Sequence, residues 1–228
     1  YGCSSLLSID IGNIVSNGVS ASNQYRGAAL TTVPLFNLSS VTNASAMFAY
    51  CAALTTVPLF DLSSVTNAQS MFYLCSSLTT VPLLNLSSVT DTFAMFYQCT
   101  ALTTVPLFNL SNCTNAWAMF YQCTALTTVP LFNLSSVTDA ANMFSGCTAL
   151  TTVPLLNLSS CTNASNMFLG VTLTTQSYSD FLINLATLPL KSGVSFHGGN
   201  SKYNPAAAIA RAYLISNFGW TITDGGAA

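Results

Sequence analysis

One 24-residue string, written six times with few changes, fills the middle of this chain. The first copy reads TTVPLFNLSSVTNASAMFAYCAAL, from Thr31 to Leu54. The others restart at Thr55, Thr79, Thr103, Thr127 and Thr151, and the last ends one residue short, at Leu173. A fixed period of this size marks a solenoid or related array, in which each unit buries its apolar residues by stacking on its neighbours. Near-identity then places equivalent side chains in columns, and the residue types in a column suggest its role.

Leu30, Val33, Leu35 and Leu38 recur in every copy, and Val41 is replaced only by Cys113 and Cys161. Read as inward-pointing residues, their spacing predicts one short strand per coil. Six such strands at about 4.8 Å build a parallel sheet roughly 25–30 Å long. Pro34 and its equivalents donate no backbone hydrogen bond, so each strand should end there. The next stretch, SSVTNASAMFAYC, predicts a short helix capped by Thr42 or Asn43, with the Met47–Phe48 pair and its five repeats as core. The column Asn37, Asp61, Asn85, Asn109, Asn133, Asn157 predicts a buried ladder of side-chain amides bonding adjacent coils, with Asp61 as a weaker rung because an ionised carboxylate cannot donate.

Cys51, Cys75, Cys99, Cys123 and Cys147 are one period apart, and Cys3 lies two periods before Cys51, with Gly27 on the intervening rung. Residues 7–30 therefore read as a degenerate coil and residues 1–6 as a half-coil, as if the chain were a fragment of a longer one. No C-x-x-C pair occurs and His197 is the only histidine, so a metal site is not expected and the cysteines read as free, buried thiols. Their redox compartment stays open.

Composition excludes several function classes. Only 4% of residues are charged, glutamate is absent and the net charge is −2. A phosphate-binding basic surface cannot be built from four basic residues, so no nucleic-acid partner is expected. No apolar run is long enough for a membrane span. A charge-poor surface rich in Ser, Thr and Asn leans toward an extracellular, cell-surface or virion-surface setting. The N-x-[ST] sequons follow from the repeat and carry little weight.

After Leu173 the repeat fails. Residues 174–228 read as a C-terminal α/β cap: a helix around Phe181, Leu182 and Leu185, a strand and Gly-rich turn in LKSGVSFHGGNSKYN, a helix opened by Pro205 and closed by Gly219, and a last strand in WTITD, with Trp220 in the cap core.

The stretch that begins MFYQCTALTTVPLFNLSSVTDAANMFSGC, and its copies over residues 1–173, resembles the BspA-like leucine-rich repeats, of the form M-F-x-x-C-x-x-L followed by a strand and V-T-[ND]-x-x-x-M-F. That resemblance implies an α/β solenoid: a leucine-rich-repeat-like right-handed coil with one short parallel strand and one short helix per repeat. It also implies surface adhesins and receptor-binding modules of bacteria, protists and phages, phage tail fibres included. It carries over no catalytic residue and no cofactor.

Catalysis is not expected from the residues either: three of the six aspartates replace asparagine in repeat columns, and no nucleophile sits beside a base. The informative departures are aromatic. One column reads Ser45, Gln69, Phe93, Trp117, Ala141, Ser165; four residues on, another reads Ala49, Tyr73, Tyr97, Tyr121, Ser145, Leu169. On a helix these would share a face. Tyr73, Phe93, Tyr97, Gln98, Trp117, Tyr121 and Gln122 then form one exposed patch, suited to a surface glycan or protein receptor, or to self-association in a homo-oligomer or fibre. The Thr32 column beside Pro34 lacks the T-x-T pattern that ice binding would want.

Overall fold

The computed structural model describes residues 20–228. The half-coil at 1–6, most of the degenerate coil and Cys3 lie outside the described residues. Each repeat is one turn of a solenoid: Asn43, Asn67, Asp91, Asn115, Asp139 and Asn163 are joined in an unbroken line of parallel bridges, one residue per coil.

Backbone bonds between successive coils run in both directions, and a further set, Thr55 to Thr31, Thr79 to Thr55, Thr103 to Thr79 and Thr127 to Thr103, also runs back (3.0–3.2 Å). Along one side, Thr66 N–H donates back to Thr42 O (2.9 Å), and Thr90, Thr114, Thr138 and Thr162 repeat this at 2.8–2.9 Å. Along the other, Ala44, Ala46, Phe48 and Tyr50 donate forward to Asn67, Gln69, Met71 and Tyr73, at 2.7–2.9 Å.

The forward set overturns the expected helix. Its N–H groups are spent between coils and cannot bond the fourth residue back. Consecutive tight turns form instead: Met47 N–H donates to Ala44 O, Ala49 to Ala46, and Cys51 to Phe48 (3.1–3.2 Å). Ala46 and Tyr50 sit at the third position of two of these turns with φ of 53° and 65°, as type II turns require. The same positive φ recurs at Ser70, Ala94, Ala118, Asn142 and Asn166, and at Leu74, Gln98, Gln122, Gly146 and Gly170. A right-handed helix cannot contain such residues.

The expected strand also fails to form. Proline has no N–H to give, and in four coils its carbonyl is taken locally: Leu84, Phe108, Phe132 and Leu156 donate to Pro82, Pro106, Pro130 and Pro154 at 2.8–2.9 Å. This three-residue turn shifts the alternation. Val33, Phe36 and Leu38 point inward, whereas Leu35, expected in the core, points out. The Asn37 column is correspondingly at the surface rather than buried. Its side chains make no ladder: Asn37 Oδ1 accepts the N–H of Ser39 within its own coil, and Asp61 does the same for Ser63 at 3.0 Å. Only an acceptor is needed, so Asp61 serves as well as asparagine; the Ser63 hydroxyl and N–H hold its carboxyl below the ordinary value.

The core consists of columns. The Phe48 rings stack through Phe72, Phe96, Phe120 and Phe144 to Phe168 at 5.4–5.7 Å, within 8° of parallel. Beside them Cys75, Cys99, Cys123 and Cys147 are free, buried thiols that donate to the carbonyls of Phe48, Phe72, Phe96 and Phe120 (3.1 Å). The register at the N-terminal side differs from the expected one. Ser20 bridges Asn43, and Tyr25 stacks on Phe48, so the offset there is one residue under the period. Ala28, not Gly27, holds the rung below Cys51.

The cap continues the array with different elements. They are α1 (Thr175–Leu185), β1 (Ser195–His197), α2 (Pro205–Phe218) and β2 (Thr221–Thr223). Ala164 and Phe168 donate to Ser195 O and His197 O, so β1 takes the place of a next coil, and β2 pairs with it in parallel. Thr174 caps α1; Asn204 and Pro205 open α2, and Gly219 closes it at φ 65°. Phe181 and Phe196 meet Phe168 edge-on (86° and 78°), which ends the ring stack without an open face. Asp224, nearly fully buried, is held by Arg211 (2.8 Å) and by the Tyr178 hydroxyl (2.9 Å).

Candidate recognition surface

All seven residues singled out in the sequence lie on the turn-bearing side of the solenoid, in the middle coils. Each is half-buried, not exposed as expected. The backbones of two of them are fixed by the V-T-[ND] column: Asp91 Oδ1 accepts the N–H of Phe93 (2.9 Å) and Asn115 Oδ1 that of Trp117 (3.1 Å). Asparagine and aspartate are used here because their short side chains bond the backbone two residues on. What was expected to cap a helix thus sets a turn.

The rings associate along columns rather than across a helical face. Phe93 and Trp117 stack at 4.5 Å and 9°. Tyr73, Tyr97 and Tyr121 form a second stack at 4.6 and 4.5 Å, within 15° of parallel. Among the described residues no ring contact joins Phe93 to Tyr97 or Trp117 to Tyr121. Gln98 Nε2 donates to Gln122 Oε1, and Gly146 makes room beside Gln122: a Cβ there would stand 2.8 Å from Gln122 Cγ.

The tyrosine stack extends further than the sequence indicated. Tyr50 leans on Tyr73 (5.4 Å, 53°), and the Arg26 guanidinium lies 4.7 Å over the Tyr50 ring. Sequence columns do not link Tyr50 to this stack, because it stands one place beyond the Tyr73 column, in the positive-φ column with Leu74 and Gln98. Burial, then the neighbouring phenols, raise the Tyr73 and Tyr97 pKa values, so both remain neutral donors.

The inner ring faces of these columns are turned toward one another, while Phe93, Trp117 and Tyr121 each keep one face without a ring partner among the described residues. What they offer outward are ring edges, the hydroxyl ends of the phenol stack and a pair of bonded amides. No set of three or more His, Cys, Asp or Glu that could hold a metal occurs among the described residues, nor is any helix there long and apolar enough to cross a membrane.

The repeats match the family described as "Mycoplasma protein of unknown function, DUF285", over residues 19–131 and, in a second overlapping match, 80–181. The chain belongs to that family. The DUF285 matches span the regular coils and reach into α1. No curated protein matches the chain. Among solved structures, it is similar to a leucine-rich repeat protein from Bacteroides ovatus, at 15% identity over 88% of this chain and 68% of that one. The TM-score is 0.27, too low to carry an argument about fold or function.

Proposed function

We propose that this chain is a non-enzymatic recognition module, displayed outside a cell or on a virion, that binds a protein receptor through its aromatic columns. The adhesin-like and phage-fibre roles implied by the resemblance to BspA-like leucine-rich repeats belong to this reading. The observation that carries it is the parallel stacking of Phe93 on Trp117 and of Tyr73, Tyr97 and Tyr121. A sugar is usually met by an open ring face, and here most faces are spent within the stacks. Ring edges and phenol hydroxyls, with Gln98 and Gln122, suit a protein surface better than a glycan. Near-identical coils elsewhere make the scaffold, and these positions break the identity.

The experiment is a binding screen of the purified chain against immobilised extracellular proteins and against glycans, repeated with Trp117→Ala and Tyr97→Ala. Protein hits lost in both variants, with the fold retained by circular dichroism, are the expected result. Hits indifferent to both substitutions would sink the proposal, and glycan hits lost in both would replace the receptor class.

The second reading is structural: a stiff segment of a fibre or filament. Its support is the same stacking, since each ring pair adds about 0.5–1.5 kcal/mol of cohesion between coils beyond its buried area. Under that reading the variants lower stability and leave every binding property untouched.

A further inference from the structure

A second surface lies apart from the aromatic columns. Leu35, Leu59, Leu83, Leu107, Leu131 and Leu155 are 49–64% exposed, one per coil, and form a ridge along the solenoid. The post-proline turn sets Leu83, Leu107, Leu131 and Leu155 outward, and Leu35 and Leu59 are exposed in the same column. The ridge continues onto the cap. Leu155 and Ile183 line one cavity of about 620 Å³, and Ile183 lines the next, of about 460 Å³, with Ile209 and Tyr213. Ile209 is 79% exposed.

Leucines left this open expose on the order of 600 Å² together, already as much as the largest apolar patch of an ordinary monomer. With the exposed threonines beside it, Thr31, Thr32 and their equivalents, the band approaches the roughly 800 Å² per partner of a standard interface. The polar Thr32 and Asn37 columns flank it as a rim. We propose that a second copy of this chain docks here, giving an antiparallel twofold dimer in which Leu35 opposes Leu155, Leu59 opposes Leu131, and Leu83 opposes Leu107.

Three features select this occupant. The ridge repeats at the coil spacing, so an identical ridge interdigitates along its whole length, whereas a partner without that period meets it at one or two points. A closed twofold contact uses the same patch on both copies. Charge selects the direction: the acidic groups beside the band are Asp61 on the second regular coil and Asp180 on α1. A parallel pair would set each against its own copy, while the antiparallel pair sets Asp61 near Leu131 of the fifth coil, whose one carboxylate, Asp139, stands in the bridge column away from the leucines. This dimer leaves the aromatic columns free and does not depend on their role.

Sedimentation velocity over a concentration series tests it, with the Leu83→Asp/Leu107→Asp double variant and with Trp117→Ala. The expected result is a dimer whose dissociation constant rises roughly 100-fold or more in the double variant and does not move in Trp117→Ala, with unchanged circular dichroism. Because Leu83 and Leu107 are exposed, the double variant should fold. Mixing Leu35→Cys and Leu155→Cys chains under mild oxidation should give a crosslinked dimer that neither chain gives alone. A monomer up to about 100 μM, a dimer indifferent to the double variant, or crosslinking within Leu35→Cys alone overturns the proposal. So does flotation of the monomeric chain with phosphatidylcholine–phosphatidylglycerol vesicles when the double variant abolishes it, since lipid would then be the occupant.

Discussion

Glycine and alanine exchanges distinguish stacked turns from the helix that the motif resembles, because the two structures reverse the sign of each effect. Ala46 and Ser70 stand at φ 53° and 54°, and Gly170 at 78°. A residue with a Cβ in the left-handed region carries about 1–2 kcal/mol of strain. Exchange for glycine relieves that and costs about 0.4–1 kcal/mol through the greater freedom of the unfolded chain. Ala46→Gly and Ser70→Gly should therefore be neutral or stabilising, by up to about 1 kcal/mol each. Gly170→Ala should destabilise by a similar amount; its nearest neighbour would be 3.8 Å from the new Cβ, so the effect is conformational and not a clash. Gly146→Ala should cost more, because the new Cβ displaces Gln122 from its bond to Gln98. In a helix interior all four signs invert, with alanine favoured over glycine by about 1 kcal/mol. Calorimetric melts read the difference, since 1 kcal/mol moves the midpoint of a chain this size by about 2–4 °C. A fall in midpoint for both glycine variants, together with a rise for Gly170→Ala, would refute the stacked-turn backbone.

Two further outcomes follow from the buried groups. Burial raises the Cys51 thiol to about 11 and Cys147 to about 12 from 9.0, and Cys75, Cys99 and Cys123 well above 9.0. Thiols of the unfolded chain ionise near 9.0 while the folded ones stay neutral, so stability is intact below pH 9 and falls progressively toward pH 12. Denaturant midpoints measured across that range check this, and Cys99→Ala should flatten the decline. In the cap, Arg211→Met leaves the Asp224 carboxylate buried without its ion pair, a loss of about 3–5 kcal/mol. Amide exchange should quicken in α2 and β2 and change little in the middle coils, whose contacts are with their neighbours.

The period, the columns and the cap elements are legible in the sequence because they follow from local rules. A 24-residue repeat must stack, a Met-Phe column must be buried, Pro205 can open a helix and Gly219 can close one. The candidate residues stand out because they interrupt a near-identical pattern, and that needs no geometry. Their arrangement is not legible in the same way. The i, i+4 spacing of Phe93 and Tyr97 implies a shared face only on a helix, and N–H groups that bond the next coil forbid one. The Leu35 column shows the same limit from the other side: an invariant leucine reads as core, and in Leu83, Leu107, Leu131 and Leu155 the turn at the preceding proline sets it outward.

The sequence by itself determined that equivalent side chains lie above one another, since identical units stacked in register admit little else. It thereby determined that aromatic substitutions in neighbouring copies become neighbours in space. Only the tertiary structure decided which way each column points and what backbone carries it. Bonds between coils compete with bonds inside a coil for the same N–H groups. That competition is settled by the stacked array as a whole, where every coil repeats the choice, and not by the propensity of any one segment.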